Sequence, residues 1–136
     1  MIKKLKEIIE SVTQAKVFIA ERGEMNVLAD EIKACESFVQ IVPTYRKDLF
    51  FDVRRWEKAT IRVYFSKFVQ LECSDKRLYE AKCEVENDIV LPLFAALRNS
   101  NELRCLSWHI DYSVPPMYDA NEATIFVEIE LQRPVC

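Results

Sequence analysis

Glycine and histidine are nearly absent from this chain of 136 residues, and each shortage excludes a class of site. Gly23 is the single glycine, so the sequence contains neither a glycine-rich dinucleotide-binding loop nor a P-loop. His109 is the single histidine, so one chain cannot supply the ligands of a multi-histidine metal site. We therefore predict a protein that uses no metal ion and no organic cofactor.

Closely spaced cysteines and long apolar runs are missing as well. The five cysteines form no C-x-x-C pair: Cys35, Cys73, Cys83, Cys105 and Cys136. An odd number of cysteines without a secretory signal is typical of reduced thiols in the cytoplasm, so we predict five free thiols. Lysine and glutamate interrupt the apolar residues of the first ten positions, and no stretch approaches the roughly 20 apolar residues that cross a bilayer. We expect a cytoplasmic protein without a membrane partner.

The overall composition is typical of one globular domain. Hydrophobic residues make up 50% of the chain and charged residues 30%, which allows both a core and a hydrated surface. The length fits a single domain over residues 1–136. A net charge of −3 lacks the basic excess of most nucleic-acid-binding proteins, so we expect no sequence-specific nucleic-acid binding.

Hydrophobic periodicity predicts an α+β fold. Helical spacing occurs over residues 2–12 and again from Ser74, a possible N-cap, to Arg98, with Pro92 as a kink or a second start. A short helix or an ordered turn is also predicted within residues 25–35. Strands are predicted over residues 16–20, 38–42, 59–66, 104–111 and 123–131, with a further strand or irregular segment over 49–56. The simplest architecture is a mostly antiparallel, mixed sheet with the N-terminal helix and the long helix packed on one face.

Two groups of side chains are candidates for chemistry. Cys105, His109 and Asp111 alternate onto one face of a predicted strand. At about 3.3 Å per residue, Cys105 and His109 lie roughly 13 Å apart, too far for a nucleophile–base pair. Glu128 and Glu130 are two residues apart on another strand, a spacing compatible with a glycosidase pair but more typical of a solvated strand face. We therefore predict no catalytic residues and no enzymatic activity.

A basic segment interleaved with aromatic residues is the clearest candidate for binding. Arg54, Arg55 and Trp56 precede Arg62 of the predicted central strand. Arginine and tryptophan are enriched in protein interfaces, and arginine also contacts phosphate backbones. Because Glu57 interrupts the segment and the whole chain is acidic, we favour a protein partner over nucleic acid. A solvated strand edge with a half-buried tryptophan is an equal alternative.

Three features of the second half follow one another in a characteristic order. Ala59 begins an alternating strand, A-T-I-R-V-Y-F, and an acidic helix, E-V-E-N-D-I-V, then runs into Leu91-Pro92-Leu93. A strand ending I-D-Y at Tyr112 and a polar loop precede the final strand, A-T-I-F-V-E-I-E-L from Ala123. In this order and pattern, residues 59–131 resemble the tail terminator proteins of long-tailed, lambda-like bacteriophages, within the wider group of head–tail neck proteins.

The resemblance implies a structural virion protein at the head–tail junction. Proteins of that family form a ring, a hexamer, that caps the tail tube and docks to the head-side connector, and phage DNA could pass through it. The implied partners are other copies of the chain, the tail tube protein and the connector protein. A head-to-tail ring contact needs two unlike surfaces, here a basic and an acidic segment with aromatic anchors. The candidate interface residues are Arg54, Arg55, Trp56, Arg62, Tyr64, Glu122, Phe126, Glu128 and Glu130.

Other interpretations of the same sequence stay open. The basic and acidic strands could equally pair within one subunit. A small intracellular α+β binding or regulatory module would be a monomer or a two-fold dimer. A cysteine hydrolase or transferase would need a thiol of depressed pKa near His109.

Overall fold

One six-stranded mixed sheet organises the fold. The structure, a computed structural model, describes residues 1–27, 31–32, 36–51, 55–69, 75–115 and 122–134. Its strands are β1 Lys16–Ile19, β2 Ser37–Ile41, β3 Lys47–Phe51, β4 Arg55–Phe68, β5 Arg104–Asp111 and β6 Glu122–Pro134. Its helices are α1 Ile2–Val12, α2 Arg22–Val27, α3 Asp75–Val85 and α4 Leu91–Asn99, with a π-helical turn, Glu86–Val90, between α3 and α4. The predicted α+β class is confirmed.

Two long strands run through the middle of the sheet. The strand order is β1-β2-β4-β6-β5, and β3 pairs with the first part of β4 on the side away from β6. Strands β1 and β2 are parallel, and the other pairs are antiparallel, as predicted for a mostly antiparallel, mixed sheet. All 13 residues of β6 have partners on β4, from Pro134 opposite Trp56 to Glu122 opposite Phe68. At about 3.3 Å per residue, this ladder extends roughly 40 Å.

The main core lies between one face of the sheet and helices α1, α3 and α4. Alternate residues of β4 enter it, so that Ile61, Val63 and Phe65 are buried whereas Thr60 and Arg62 are exposed. Helix α1 packs against α4 and β1, helix α3 against β4 and β6, and helix α4 against β5. The buried residues that β6 adds to this core are Ile125, Val127, Ile129 and Leu131. The N-terminal helix and the long helical segment thus share one face, as predicted.

A second, smaller apolar cluster lies on the opposite face of the sheet, next to β1 and β2, and it was not predicted. Phe18 and Phe38 point into it, and Met25 of α2 packs over them together with Ile32. The rings of Phe18 and Phe38 meet edge to face, with centroids 6.4 Å apart. Strands β1 and β2 carry apolar residues on both faces of the sheet, so other parts of the chain must pack against both faces. Helix α2 begins earlier than the helix predicted within residues 25–35, of which residues 28–30 and 33–35 lie outside the described ranges.

Pro92 accounts for the widened turn between α3 and α4. In an ordinary α-helix its ring would collide with the carbonyl of Asp88, and it has no N–H to donate to that carbonyl. In the π-helical turn the N–H of Leu91 instead donates to the carbonyl of Glu86, five residues earlier. Pro92 then falls in the first turn of α4, where a missing N–H is tolerated. The predicted second helical start at Pro92 is confirmed, and Ser74 lies outside the described residues.

Replacing Met25 with alanine should measure the contribution of the second cluster to stability. Met25 is fully buried, so we expect Met25→Ala to lower the free energy of unfolding by about 2–5 kcal/mol in urea denaturation. Gly23→Ala, in the same helix, is the matched control. A Cβ at Gly23 meets no atom within 4 Å, so this variant should be unchanged or up to about 1 kcal/mol more stable. A Met25→Ala protein as stable as the wild type would contradict the packing of α2 on the sheet.

Candidate interaction surfaces

The sheet face opposite the main core, called the open face below, carries most of the predicted interface residues. Trp56, Arg62 and Tyr64 alternate onto it from β4, and Phe126 and Glu128 do so from β6. Tyr64 lies directly opposite Phe126, and their ring centroids are 4.9 Å apart. Tyr64 and Phe126 are therefore neighbours on one surface of one subunit, whereas Trp56 lies eight residues away along β4 and stacks on Phe50.

The predicted separation into a basic edge and an acidic edge is wrong, because β4 and β6 are hydrogen-bonded neighbours inside the sheet. Arg62 lies directly opposite Glu128 in the pairing of the two strands. The Nζ atom of Lys58 lies 3.5 Å from Oε1 of Glu130. Both glutamates thus lie beside cations of their own subunit. The alternative of pairing within one subunit is the arrangement found.

Three further candidates do not add to the open face. Arg55 is exposed but alternates onto the other side of β4. Glu122 is 1% exposed, and its carboxylate accepts hydrogen bonds from the hydroxyls of Ser66 and Thr124. It is therefore a buried polar group inside the subunit and not an interface charge. Arg54 lies outside the described residues.

A β-bulge separates the residues that were predicted to share one face of β5. The pairing with β6 shifts between Cys105 and Ser107, so Cys105 lies opposite Leu131 on the core side while His109 lies opposite Glu128 on the open face. The prediction of a shared face is therefore wrong for Cys105. Burial raises the pKa of the Cys105 thiol, whereas a reactive cysteine needs a lowered one. Cys105 and His109 therefore cannot act together as a nucleophile and its base.

In the described part of the chain, three of the exposed large apolar side chains lie on β3, and the sequence patterns did not point to this surface. Leu49 is 50% exposed and Phe51 is 70% exposed. Phe50, on the open face, stacks on Trp56 with ring centroids 4.0 Å apart and planes 11° apart. Among the described strands, β3 pairs only with β4, so its outer edge is free. Folded proteins usually protect such an apolar strand edge from contact with other chains.

A buried carboxylate fixes β3 to the two long strands. Glu57 of β4 is 3% exposed and forms ion pairs with Lys47 of β3, at 3.2 Å, and with Arg133 of β6. Burial raises the pKa of Glu57, but its hydrogen bonds and charge attraction to Arg133 and Lys47 outweigh this effect, so the net pKa lies below the ordinary value. The carboxylate of Glu57 thus links the adjacent strands β3, β4 and β6.

A groove of about 900 Å³ opens at the other edge of the sheet, between α4 and β5. The rings of Phe94 and Trp108 are in contact where the two elements meet. Leu91 at the start of α4 and Leu106 on the bulge are both exposed. The groove is lined by apolar residues, a cysteine, two exposed arginines and three small polar residues, namely Leu91, Phe94, Ala95, Leu97, Leu106, Trp108, Cys105, Arg98, Arg104, Ser100, Asn101 and Ser107.

Metal-binding and membrane-spanning features were also sought in the described part of the chain. No group of three or more His, Cys, Asp or Glu side chains there is arranged to hold a metal ion. None of the helices in these ranges combines the length and the apolar character needed to span a membrane. Cys83 and Cys105 are unpaired thiols, and the other three cysteines lie outside the described ranges.

The fold and these surfaces define an α+β protein with an open sheet face, an apolar edge strand and a groove at the opposite edge. No protein-family model matches the chain, and no curated protein matches it either. A functional interpretation therefore depends on the surfaces themselves.

Replacing Glu57 with glutamine should loosen β3 and change the pH dependence of stability. Because the folded pKa lies below the ordinary value of 4.5, the stabilisation is fully present above that pH and is lost as the pH falls through the folded pKa. At pH 7 we expect Glu57→Gln to lower the free energy of unfolding by about 1–3 kcal/mol. As the pH falls below 4.5 and through the folded pKa, the wild type should lose this advantage, so the two unfolding curves should converge.

The control for this experiment is Glu130→Gln, which removes a partly exposed pair with Lys58. Such pairs contribute about 0–1 kcal/mol, so its effect should be small at every pH. Urea denaturation between pH 3 and pH 7 measures both variants. Equal effects of the two substitutions at pH 7 would show that Glu57 has no special role in holding the three strands.

Proposed function

We propose that this protein is a structural subunit of the head–tail junction, or neck, of a tailed bacteriophage, acting as a tail terminator and not as an enzyme. In this role its copies form a ring, a hexamer as in the family it resembles. The ring caps the tail tube protein and joins it to the head-side connector. The protein is made in the host cytoplasm and acts in the virion, where phage DNA passes through the ring.

The apolar edge strand β3 is the observation that carries the assembly role. Leu49 and Phe51 are exposed on a strand whose outer edge is free among the described strands. A contiguous apolar patch of this kind on a folded protein indicates a contact site or an aggregation hazard. Assembly with other chains covers the side chains and pairs the free main-chain groups at the same time. A ring subunit is therefore a natural interpretation of such an edge.

The resemblance of residues 59–131 supports the choice of a tail terminator among assembling proteins. The elements on which it depends occur in the expected order: β4, the acidic π-helical turn after α3, the Leu91-Pro92-Leu93 step into α4, and then β5 and β6. The open face adds a broad surface of mixed character, with Tyr64 and Phe126 between charged side chains. Aromatic side chains of this kind are common anchors of protein interfaces.

A small binding or regulatory module is the second candidate, and the groove between α4 and β5 favours it. Its volume of about 900 Å³ lies within the range of small-molecule sites. Arg98 and Arg104 beside apolar walls would suit a ligand with an anionic group and an apolar body. In this case native mass spectrometry of the purified protein should find a monomer or two-fold dimer with a bound small molecule.

Tail tubes that lack a terminator provide the direct test of the proposed function. Purified protein should bind at one end of such tubes as a ring visible by electron microscopy, because an exposed tube end offers the surface that a terminator caps. Tubes that already carry their own terminator are the matched control and should show no added ring at that end. Failure to bind tubes from a panel of long-tailed phages, with a monomer as the largest species throughout, would contradict the proposal.

A further inference from the structure

The groove between α4 and β5 is bounded by one face of a helix and by a strand at the edge of the sheet. Leu91, Ala95 and Arg98 recur at helical spacing along α4, and all three are exposed. Residues 104–108 of β5 form the facing wall. From Leu91 to Arg98 the helix rises about 10 Å, and the facing strand residues extend roughly 13 Å. The groove is therefore long enough for about four residues of an extended chain.

The outer edge of β5 has main-chain groups that such a chain can pair with. Among the described strands, β5 pairs only with β6, so the N–H and C=O groups on its other side have no strand partner. Extended peptides bind edges of this kind as a further strand, with main-chain hydrogen bonds for affinity and side-chain pockets for specificity. A small apolar anion could fill the groove but would leave these groups unpaired. The free edge therefore favours a peptide.

One end of the groove is apolar. Trp108 lies opposite Ile129 of β6, on the core side of the sheet, and its ring contacts that of Phe94. A residue of an added strand that lies opposite Trp108 points to the same face, and therefore into the groove that Leu91 also lines. Leu106, at the bulge, adds another exposed apolar side chain to the lining. Apolar residues at every second position of a peptide fit this end.

The other end of the groove is basic. Arg98 lies in the last turn of α4 and Arg104 is the first residue of β5, one on each side of the turn that joins the two elements. Both arginines are exposed, and neither forms an ion pair within the described ranges. Glu102, in the joining turn, is instead paired with Lys4 of α1 at 3.1 Å. The described residues that line the groove include no aspartate or glutamate, so a carboxylate is the complementary group.

We infer that this groove binds an extended segment of another protein, one with apolar residues at alternate positions and an aspartate or glutamate near one end. The segment pairs with the outer edge of β5, its apolar side chains pack against Leu91 and Trp108, and its carboxylate binds Arg98 and Arg104. The inference goes beyond the proposed function, because the site requires neither a ring nor a tail tube. In a head–tail junction, a neighbouring virion protein would supply the segment.

A library of random ten-residue peptides, displayed on their encoding mRNA, is the first probe. Selection on the purified protein should enrich peptides with apolar residues at alternate positions and an acidic residue near one end. Synthetic copies of these peptides should bind in fluorescence anisotropy, and the NMR amide shifts that they cause should centre on α4 and β5. Selection that enriches no peptide, or only peptides whose shifts fall on other elements, would overturn the inference.

Substitutions at the two ends of the groove test how the peptides bind. The double variant Arg98→Gln, Arg104→Gln removes the charge of the basic end, and Leu91→Asp places a charge at the apolar end. All three positions are exposed, so thermal unfolding should stay close to that of the wild type. Each variant should bind the selected peptides roughly 10-fold more weakly or worse. Arg55→Gln and Tyr79→Asp, at exposed positions outside the groove, are the matched controls and should bind normally. Unchanged binding by either groove variant would contradict the inference.

Selected peptides that are N-methylated at alternate residues test the strand pairing itself. Every second N–H of an added strand points toward β5, so methylating one alternate set should abolish binding and methylating the other should leave it nearly unchanged. Equal effects of the two sets would show that no strand is added and would overturn the inference. So would dodecanoate, an apolar anion without main-chain groups, if it bound the groove as tightly as the best peptide. Loss of self-association in Leu91→Asp without peptide would assign the groove to a second copy of the chain instead.

Discussion

The pairing of β4 with β6 is the constraint on which the other features of this protein depend. The ladder runs without interruption from Trp56 opposite Pro134 to Phe68 opposite Glu122. Its core side packs against α3, and its other side forms the open face. Strand β3 pairs with the first residues of β4, and β5 pairs with β6 from Phe126 to Gln132, so the apolar edge and the groove both derive their position from this one ladder. Glu57, paired with Lys47 and Arg133, fixes that end.

The pairing of β4 with β6 also places basic and acidic residues of one subunit next to each other. Arg62 lies opposite Glu128 and donates a hydrogen bond to the carbonyl oxygen of Thr44, and Lys58 forms an ion pair with Glu130, so both cations have polar contacts within their own subunit. In the proposed ring, assembly would then depend mainly on apolar side chains and free strand edges. Exposed ion pairs are individually weak, about 0–1 kcal/mol each, and an interface built mainly on them would be unexpected.

Features set by local periodicity were predictable from the sequence, whereas those set by pairing between distant segments were not. The α1 helix, the alternation around Ile61 and the helical restart at Pro92 follow from residues close in sequence, and all three occur. The β-bulge at Leu106 could not be predicted from the sequence, because the residues of β5 alternate regularly whether or not a bulge interrupts the strand. The sequence from Leu49 to Phe51 indicates a strand, but it does not indicate that the strand is exposed. Its exposure depends on which part of the sheet the helices cover. The neighbouring positions of the basic and acidic strands likewise depend on topology.

The proposed function requires that copies of this chain join head to tail in a ring, and the exposed Leu49 and Phe51 point to β3 as part of that contact. A cryo-electron microscopy map of the ring on a tail tube, at a resolution that resolves strands, is the most direct measurement. The expected result is that the neighbouring copy packs against β3 and covers Leu49 and Phe51. A ring whose copies meet through their open faces, or through two-fold related β3 strands, would contradict it.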